Sequence, residues 1–358
     1  MIALITDLHF GVRGDSKTWH EIMRDFFTGE FILYVAKHDI KTVVILGDVF
    51  DKRKSIGVET AALAREVLFD PLESMGVQVH VICGNHDVAL RNTNKFNSLE
   101  MLFYGLDNVT IYSEPTEVVL PILGKVLMLP WINRENHEQC LHHLEHTTAR
   151  TVLSHLELAG FEYHIGQVSC EGHIDTELLD RFDAVYTGHY HHRSSKGNIH
   201  YLGTPYQLTW SDYADPKGFH VVGETKELEF IKSGVETFIK VVYDDVDNLA
   251  GVKKFLKEDE TEEFRNRYVE VIVNRKESPK TFERFLSKIN DMLPVECVVR
   301  DQTNRIVEAS EDVVFSSDAL AFSMQYVDEL VETDLSKDVI KRKLVSLYHR
   351  ANGLEIVE

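Results

Sequence analysis

Short apolar runs, each closed by a polar residue, recur through the first two thirds of the chain. Residues 2–6, 42–46, 77–83, 151–154 and 184–187 are rich in Val, Ile and Leu, and runs of this length and composition predict buried strands. Between them, residues 16–38 place Trp19, Ile22, Met23, Phe26, Phe27, Phe31 and Tyr34 on helical spacing, and residues 59–75 repeat the pattern. Both segments predict helices that cover a sheet face. Residues 109–131 predict a β meander turning at Leu123-Gly124-Lys125. Strand runs alternating with helical patterns predict a layered α/β domain up to about Val222.

After Gly223 the texture changes. Strands are predicted over 237–243, 267–273 and 296–300, with helices over 248–257 and 279–292, which together suggest a small separate α/β domain. Residues 257–263 are charge-rich and predict a solvated loop. Residues 317–351 predict two amphipathic helices, broken near Thr333-Asp334, with Val327, Leu330, Val331, Val339, Leu344 and Leu347 as apolar stripes. With 358 residues the chain exceeds a single typical core. Its expected division is 1–225, 226–310 and 311–358.

Composition narrows the class. Cys83, Cys140, Cys170 and Cys297 show no paired short spacing, so neither a disulfide framework nor a thiolate zinc site is indicated, and a reducing, cytoplasmic setting is expected. There is no basic leader at the start and no run of 18 apolar residues, so a soluble protein with no membrane partner is expected. The formal net charge of -20 argues against coating nucleic acid through bulk electrostatics. Any DNA binding must then be local, metal-assisted or partner-assisted.

Each of the five buried strands runs into a potential metal ligand, and in open α/β sheets ligands bind at the carboxyl ends of strands. The strands lead in turn to Asp7-Leu8-His9, to Gly47-Asp48-Val49-Phe50-Asp51, to Gly84-Asn85-His86-Asp87, to His155, and to Gly188-His189-Tyr190-His191. Singly these are weak signals, because 18 histidines place several beside carboxylates by chance. Five such elements, each closing an apolar strand, point to a metal centre. Carboxylate, amide oxygen and imidazole suit divalent first-row metals. Asp48 is the natural bridge between two ions, and a pair of ions suits in-line displacement at phosphorus.

Asp7-x-His9, Gly47-Asp48-x-x-Asp51, Gly84-Asn85-His86-Asp87, His155 and Gly188-His189-x-His191 resemble the calcineurin-like metallophosphoesterase signature. Within that superfamily the chain is most similar to the SbcD nuclease family, and particularly to its members from T-even-like phages. Gly203-Thr204-Pro205 resembles the Gly-Ser-Pro turn of the family, and beyond about Asp215 the resemblance rests on layout. The resemblance implies a layered β-sandwich flanked by helices for 1–225, a small α/β domain capping DNA for 226–310, and C-terminal helices at 311–358 that dock a partner. It implies one metal held by Asp7, His9, Asp48 and His191 and another by Asp48, Asn85, His155 and His189, with manganese the expected activator and magnesium the alternative. His86 matches the catalytic histidine, with Asp87 orienting it. Some family members carry His where this chain has Asp51, which leaves Asp51 a supporting role.

The implied activity is cleavage of DNA, as an exonuclease on duplex ends and an endonuclease on single strands. The implied partners are an SbcC-type coiled-coil ATPase and a second nuclease subunit. Lys52, Arg53, Lys54, Arg91, Lys95, Arg193 and Lys196 follow the motifs and would give the cleft a basic rim. Two other readings use the same residues: a phosphoesterase of small substrates, and a scaffold at DNA ends without catalysis. A metal site alone does not choose among them.

Overall fold

The computed structural model describes residues 1–258 and 262–303, together with Lys343. The helices predicted over 317–351 therefore lie outside the described residues, as does the middle of the charge-rich loop.

All five predicted buried strands form, as Ile2–Ile5, Thr42–Ile45, Gln78–Ile82, Thr151–His155 and Ala184–Gly188. They are shared between two six-stranded sheets. In the first, Ile2–Ile5, Thr42–Ile45, Gln78–Ile82 and Val109–Tyr112 run parallel. Gly218–Val222 then pairs antiparallel to Ile2–Ile5, and Leu228–Lys232 pairs antiparallel to Gly218–Val222. In the second, Gly124–Leu129, Thr151–His155, Ala184–Gly188 and Ile199–Tyr201 are parallel, with antiparallel strands at both edges.

Alternation within these apolar runs explains the layering, because successive side chains of a strand point to opposite faces. Ile2, Leu4, Val44 and Leu46 meet Val126, Met128, Leu153 and Tyr186 between the sheets. Ala3, Ile5, Val43 and Ile45 face outward into a second core with Trp19, Phe26, Phe27 and Phe31. The outer face of the other sheet packs Val152 and Val185 against Cys140 and Leu144, which lie on the helix His137–His146. Strands buried on both faces need apolar side chains on both, and so their sequences read as unbroken hydrophobic runs.

The helix predicted over 16–38 is Lys17–Phe26 and Ile32–Lys37, joined by one wide turn at Phe27–Phe31. A similar wide turn, Arg65–Phe69, interrupts the helical segment of 59–75. Each inserts an extra residue into the helical repeat, and that register shift keeps Phe26, Phe27 and Phe31 all in the core.

The predicted meander is corrected. Val109–Tyr112 joins the first sheet beside Gln78–Ile82, whereas Thr116–Leu120 and Gly124–Leu129 form a hairpin in the second. The chain thus crosses between layers at residues 113–115, with Tyr112 of one sheet and Leu120, Val126 and Met128 of the other meeting in the inter-sheet core. The hairpin turn also falls earlier than predicted, with Leu120 paired to Gly124.

The first sheet continues to Lys232, past the expected boundary at 225. Phe238–Asp244, Tyr268–Arg275 and Glu296–Asp301 then form a parallel three-stranded sheet. It shares a small core of its own with the helices Leu249–Lys257 and Pro279–Asp291, through Tyr243, Val252, Val271 and Phe285. Phe238, its first residue, is buried in the larger core against Trp19 and Trp210. Residues Met1–Asp301 accordingly make one compact unit.

Candidate metal centre

The loops that follow the five buried strands converge at one end of the two-sheet sandwich. The first two loops continue the pairing of their strands, since the Asp7 and His9 amides donate to the Gly47 and Asp48 carbonyls, both at 3.0 Å. Asp7, His9, Asp48 and His189 all adopt positive φ, at 54°, 48°, 53° and 93°. Non-glycine residues pay for that conformation, and it survives only where surrounding contacts enforce it. Here it turns side chains inward that a regular strand would have sent outward.

Asp7, His9 and His191 offer donor atoms within 4.8 Å of one another, and so do Asp7, Asp48 and His155. His9 Nε2 faces His191 Nε2 at 3.1 Å. Asp48 Oδ2 lies 3.9 Å from His9 Nε2 and 3.5 Å from His155 Nε2, between the two groups. Asn85 Oδ1 sits 3.0 Å from both His155 Nε2 and His189 Nδ1. The structure therefore brings all seven sequence-predicted ligands together.

Hydrogen bonds set which nitrogen each imidazole can offer. His155 Nδ1 donates to the Leu46 carbonyl at 2.7 Å, so Nε2 is the nitrogen turned to Asp48 and Asn85. His9 Nδ1 faces Asp51 Oδ1 at 3.4 Å and turns Nε2 to the centre. Asp51 thus lies directly behind the His9 ring. A carboxylate or carbonyl behind a ligating imidazole is the usual arrangement around a bound metal.

Burial alone would raise the Asp48 carboxyl, but the neighbouring His155 and His9 hold it well below the carboxylate range. Burial likewise opposes the charge on His155, yet Asp48 outweighs it and raises His155 to about 9. Burial pushes Asp7 up, and burial together with His9 pushes His191 well down. Two buried carboxylates, an amide oxygen and four imidazoles turned to one centre fit divalent cations, which would supply the positive charge that His155 otherwise carries.

The glycines of the motifs are steric requirements. A Cβ on Gly84 would lie 2.2 Å from Asp48 Oδ1, and one on Gly188 would lie 2.0 Å from Thr6 Oγ1. The first contact would displace the carboxylate between the two groups, and the second would displace the hydroxyl that donates to Asp7 Oδ2 at 2.8 Å.

His86 and Asp87 divide differently from expectation. His86 is half-buried, its ring edge-on to His9 at 4.9 Å, and its Nδ1 donates to the Asp51 carbonyl at 2.5 Å, leaving Nε2 free. Asp87 is not its hydrogen-bond partner. The fully buried Asp87 carboxylate accepts the amides of Asp48, Gly84, Val49 and Phe50 at 2.8 to 3.3 Å. It ties the second motif loop to the third, because two chain turns meeting there leave four backbone donors without other acceptors. Burial and the adjacent Asp48 push Asp87 up to about 7, against the pull of the Gly84 and Phe50 amides.

Two contributors were missed in the sequence. Glu157 Oε2 lies 3.1 Å from His173 Nε2, and Oε1 lies 3.9 Å from His189 Nε2. Its spacing of two from His155, on one face of an extended segment, was the available signal. Buried Lys217 donates to the His191 carbonyl and to Asp215, both at 2.7 Å, and is 3.0 Å from Asp212. Nothing in its local sequence marks it.

The expected basic rim separates into spent and unspent charges. Lys52 pairs with Asp15 at 2.6 Å, Lys95 with Glu135, and Arg193 lies over the Phe230 ring at 4.3 Å. Arg53 and Arg91 have no carboxylate partner among the described residues.

Residues 1–193 match the calcineurin-like phosphoesterase family. Exonuclease subunit 1 of Enterobacteria phage T4 is 30% identical over 354 residues, covering 98% of this chain and 97% of that protein. Two solved structures overlap more loosely. A dimetal phosphatase from Danio rerio has a TM-score of 0.39 and 14% identity, over 61% of this chain and 90% of its own. GAP50, described as the anchor in the inner membrane complex of Plasmodium, has a TM-score of 0.39 and 13% identity over 66% and 78%. The match over more than half of the chain and the near full-length relative bear out the family read from the motifs: the chain belongs to the calcineurin-like phosphoesterases.

Proposed function

We propose that this protein is a two-metal DNA phosphodiesterase, the nuclease subunit of an SbcCD-like complex acting in recombination and repair. The reading rests chiefly on the convergence of Asp7, His9, Asn85, His155, His189 and His191 about the Asp48 carboxylate. Similarity along nearly the whole length of a phage exonuclease subunit supports DNA as the substrate. Among the described residues no helix is long and apolar enough to cross a membrane.

In this reading Asp7, His9, Asp48 and His191 hold one divalent ion and Asp48, Asn85, His155 and His189 the other, with manganese the expected metal. Such a pair supplies Lewis acidity for attack at phosphorus. Asp48 keeps its negative charge because His155 and His9 flank it. The Leu46 carbonyl holds the His155 ring, and Asp51 lies behind the His9 ring, so that both turn Nε2 to the centre. His86 has Nδ1–H fixed on the Asp51 carbonyl, so in the imidazolium form the Nε2–H is the proton it can give to the departing sugar oxygen, leaving the ring neutral. Exonuclease action on duplex ends and endonuclease action on single strands belong to this proposal. So do capping of DNA by residues 226–310 and docking of the coiled-coil ATPase and a second nuclease subunit.

The test is end-labelled duplex DNA incubated with the protein in manganese and in magnesium, beside Asp48→Ala and His86→Ser. Metal-dependent degradation should disappear in both variants, while His86→Ser keeps its bound metal. Intact DNA with rapid turnover of a small phosphoester would keep the metal centre and overturn the DNA assignment. Full activity of His86→Ser would remove that residue from the mechanism.

A further inference from the structure

A cleft of about 1050 Å³ opens beside the metal centre, with Asn85 and His189 at its inner end and Arg53, Arg91 and Trp131 among its walls. Pockets for drug-sized ligands span roughly 300–1,000 Å³, so the space exceeds what a single phosphate needs.

Two features of the wall stand out. Arg53 is partly buried, and its pKa is lowered by that burial and by the charge of Arg91, while the Asp48 carboxylate acts in the opposite direction. Two mutually repelling guanidiniums within the field of the metal centre, on a chain of net charge -20, are held there without a carboxylate partner among the described residues. Of the three glutamates that line the same cleft, Glu135 pairs with Lys95 and Glu157 with His173, while Glu138 is exposed.

Trp131 is fixed at its backbone from three sides. Its amide donates to the Cys83 carbonyl at 2.8 Å, and its own carbonyl accepts from the Asn94 and Asn136 side chains, both at 3.0 Å. The indole rests on the ligand histidines, 5.0 Å from His189 and 6.0 Å from His155. A half-buried indole lining the same cleft as two arginines has the elements of a single-strand site, in which bases stack on aromatic rings while cations track the backbone.

We propose that Arg53, Arg91 and Trp131 form a subsite for one nucleotide of the DNA strand flanking the phosphodiester at the metal centre. The two guanidiniums take its phosphate, and the indole takes its base. The subsite would distinguish a polynucleotide from a small phosphomonoester without reading sequence, since every base has a stacking face. This inference rests on the DNA reading proposed above.

The experiment is fluorescence anisotropy of a labelled single-stranded oligonucleotide with the full chain, in EDTA to prevent metal-dependent cleavage, across a salt series. Each phosphate contact on a single strand contributes about 0.7 to the slope of log affinity against log salt. The Arg53→Gln/Arg91→Gln double variant, which removes the contact to that one phosphate, should therefore lose about 0.7 of that slope. Trp131→Leu should bind about tenfold more weakly, with Trp131→Phe recovering most of the loss. If the wild type binds and cleaves DNA while the arginine variant keeps its slope, the subsite is wrong and the DNA reading stands. If Trp131→Leu binds like the wild type while its urea midpoint is unchanged, the stacking half is wrong. If the wild type neither binds the oligonucleotide nor cleaves DNA in manganese, the DNA reading falls and takes the subsite with it.

Discussion

Gly84→Ala isolates the steric logic of the centre in one methyl group. The added Cβ would lie 2.2 Å from Asp48 Oδ1, 2.4 Å from the Asp48 nitrogen and 2.9 Å from Cγ. Ordinary carbon contacts begin near 3.5 Å, so the loops must part by about 1 Å. Neither neighbour is a free chain end. The Asp48 amide is bonded to Asp87 at 2.8 Å, and Asp48 Oδ1 accepts the His86 amide at 2.7 Å. Overpacking of this kind costs about 1–3 kcal/mol. A displacement of about 1 Å in a catalytic group costs on the order of 100-fold in rate. The control is Gly29→Ala, where a Cβ meets nothing within 4 Å and φ is not positive. It should be neutral or stabilising by roughly 0.5–1 kcal/mol, because alanine has less freedom to lose than glycine. Urea denaturation in EDTA reads stability apart from metal binding, and manganese titration with DNA cleavage reads the centre. A Gly84→Ala protein with wild-type urea midpoint, manganese affinity and cleavage rate would refute the account.

Three further outcomes follow from other parts of the molecule. Glu157→Gln should weaken manganese binding roughly 10- to 100-fold by loosening the carboxylate behind His189; unchanged affinity would show that His189 is oriented by another group. Phe26→Ala, in a ring cluster with Phe27 at 5.1 Å and Tyr206 at 5.5 Å, should cost about 3–5 kcal/mol of stability and leave cleavage in the cold intact. His220 is buried with no hydrogen-bond partner for Nδ1 among the described residues, and burial together with Arg193 lowers its pKa to about 3. The unfolded chain protonates this histidine near pH 6.5 and the folded chain does not, so stability falls as pH drops below that value. Between pH 7.5 and 5.5 the loss is about 1.4 kcal/mol, and His220→Leu should remove it from the urea-measured stability in EDTA. A variant that kept the full slope would place the proton elsewhere.

Much of the molecule was legible in the chain because the relevant forces are local or periodic. Strands buried on both faces must be apolar at every position, so the five core strands announced themselves, as did the helices carrying Trp19 and Phe26. The seven proposed ligand positions were legible because each lies at or just beyond the end of a buried strand.

Tertiary structure decided what depends on which loops meet. The meander was misread because its strands have the same composition, and the sheet each one joins depends on which face it buries. Asp87 could have been an orienting carboxylate, but the meeting of two loops left four amides needing an acceptor, and that made it a backbone tie. The group behind His86 became the Asp51 carbonyl, and a backbone oxygen carries no sequence signature. Glu157, Lys217, Arg53, Arg91 and Trp131 acquire their surroundings from residues far away in the chain. Sequence by itself determined the strand ends and the ligand types they carry; packing of the two sheets decided which charges are spent on neighbours and which face the cleft.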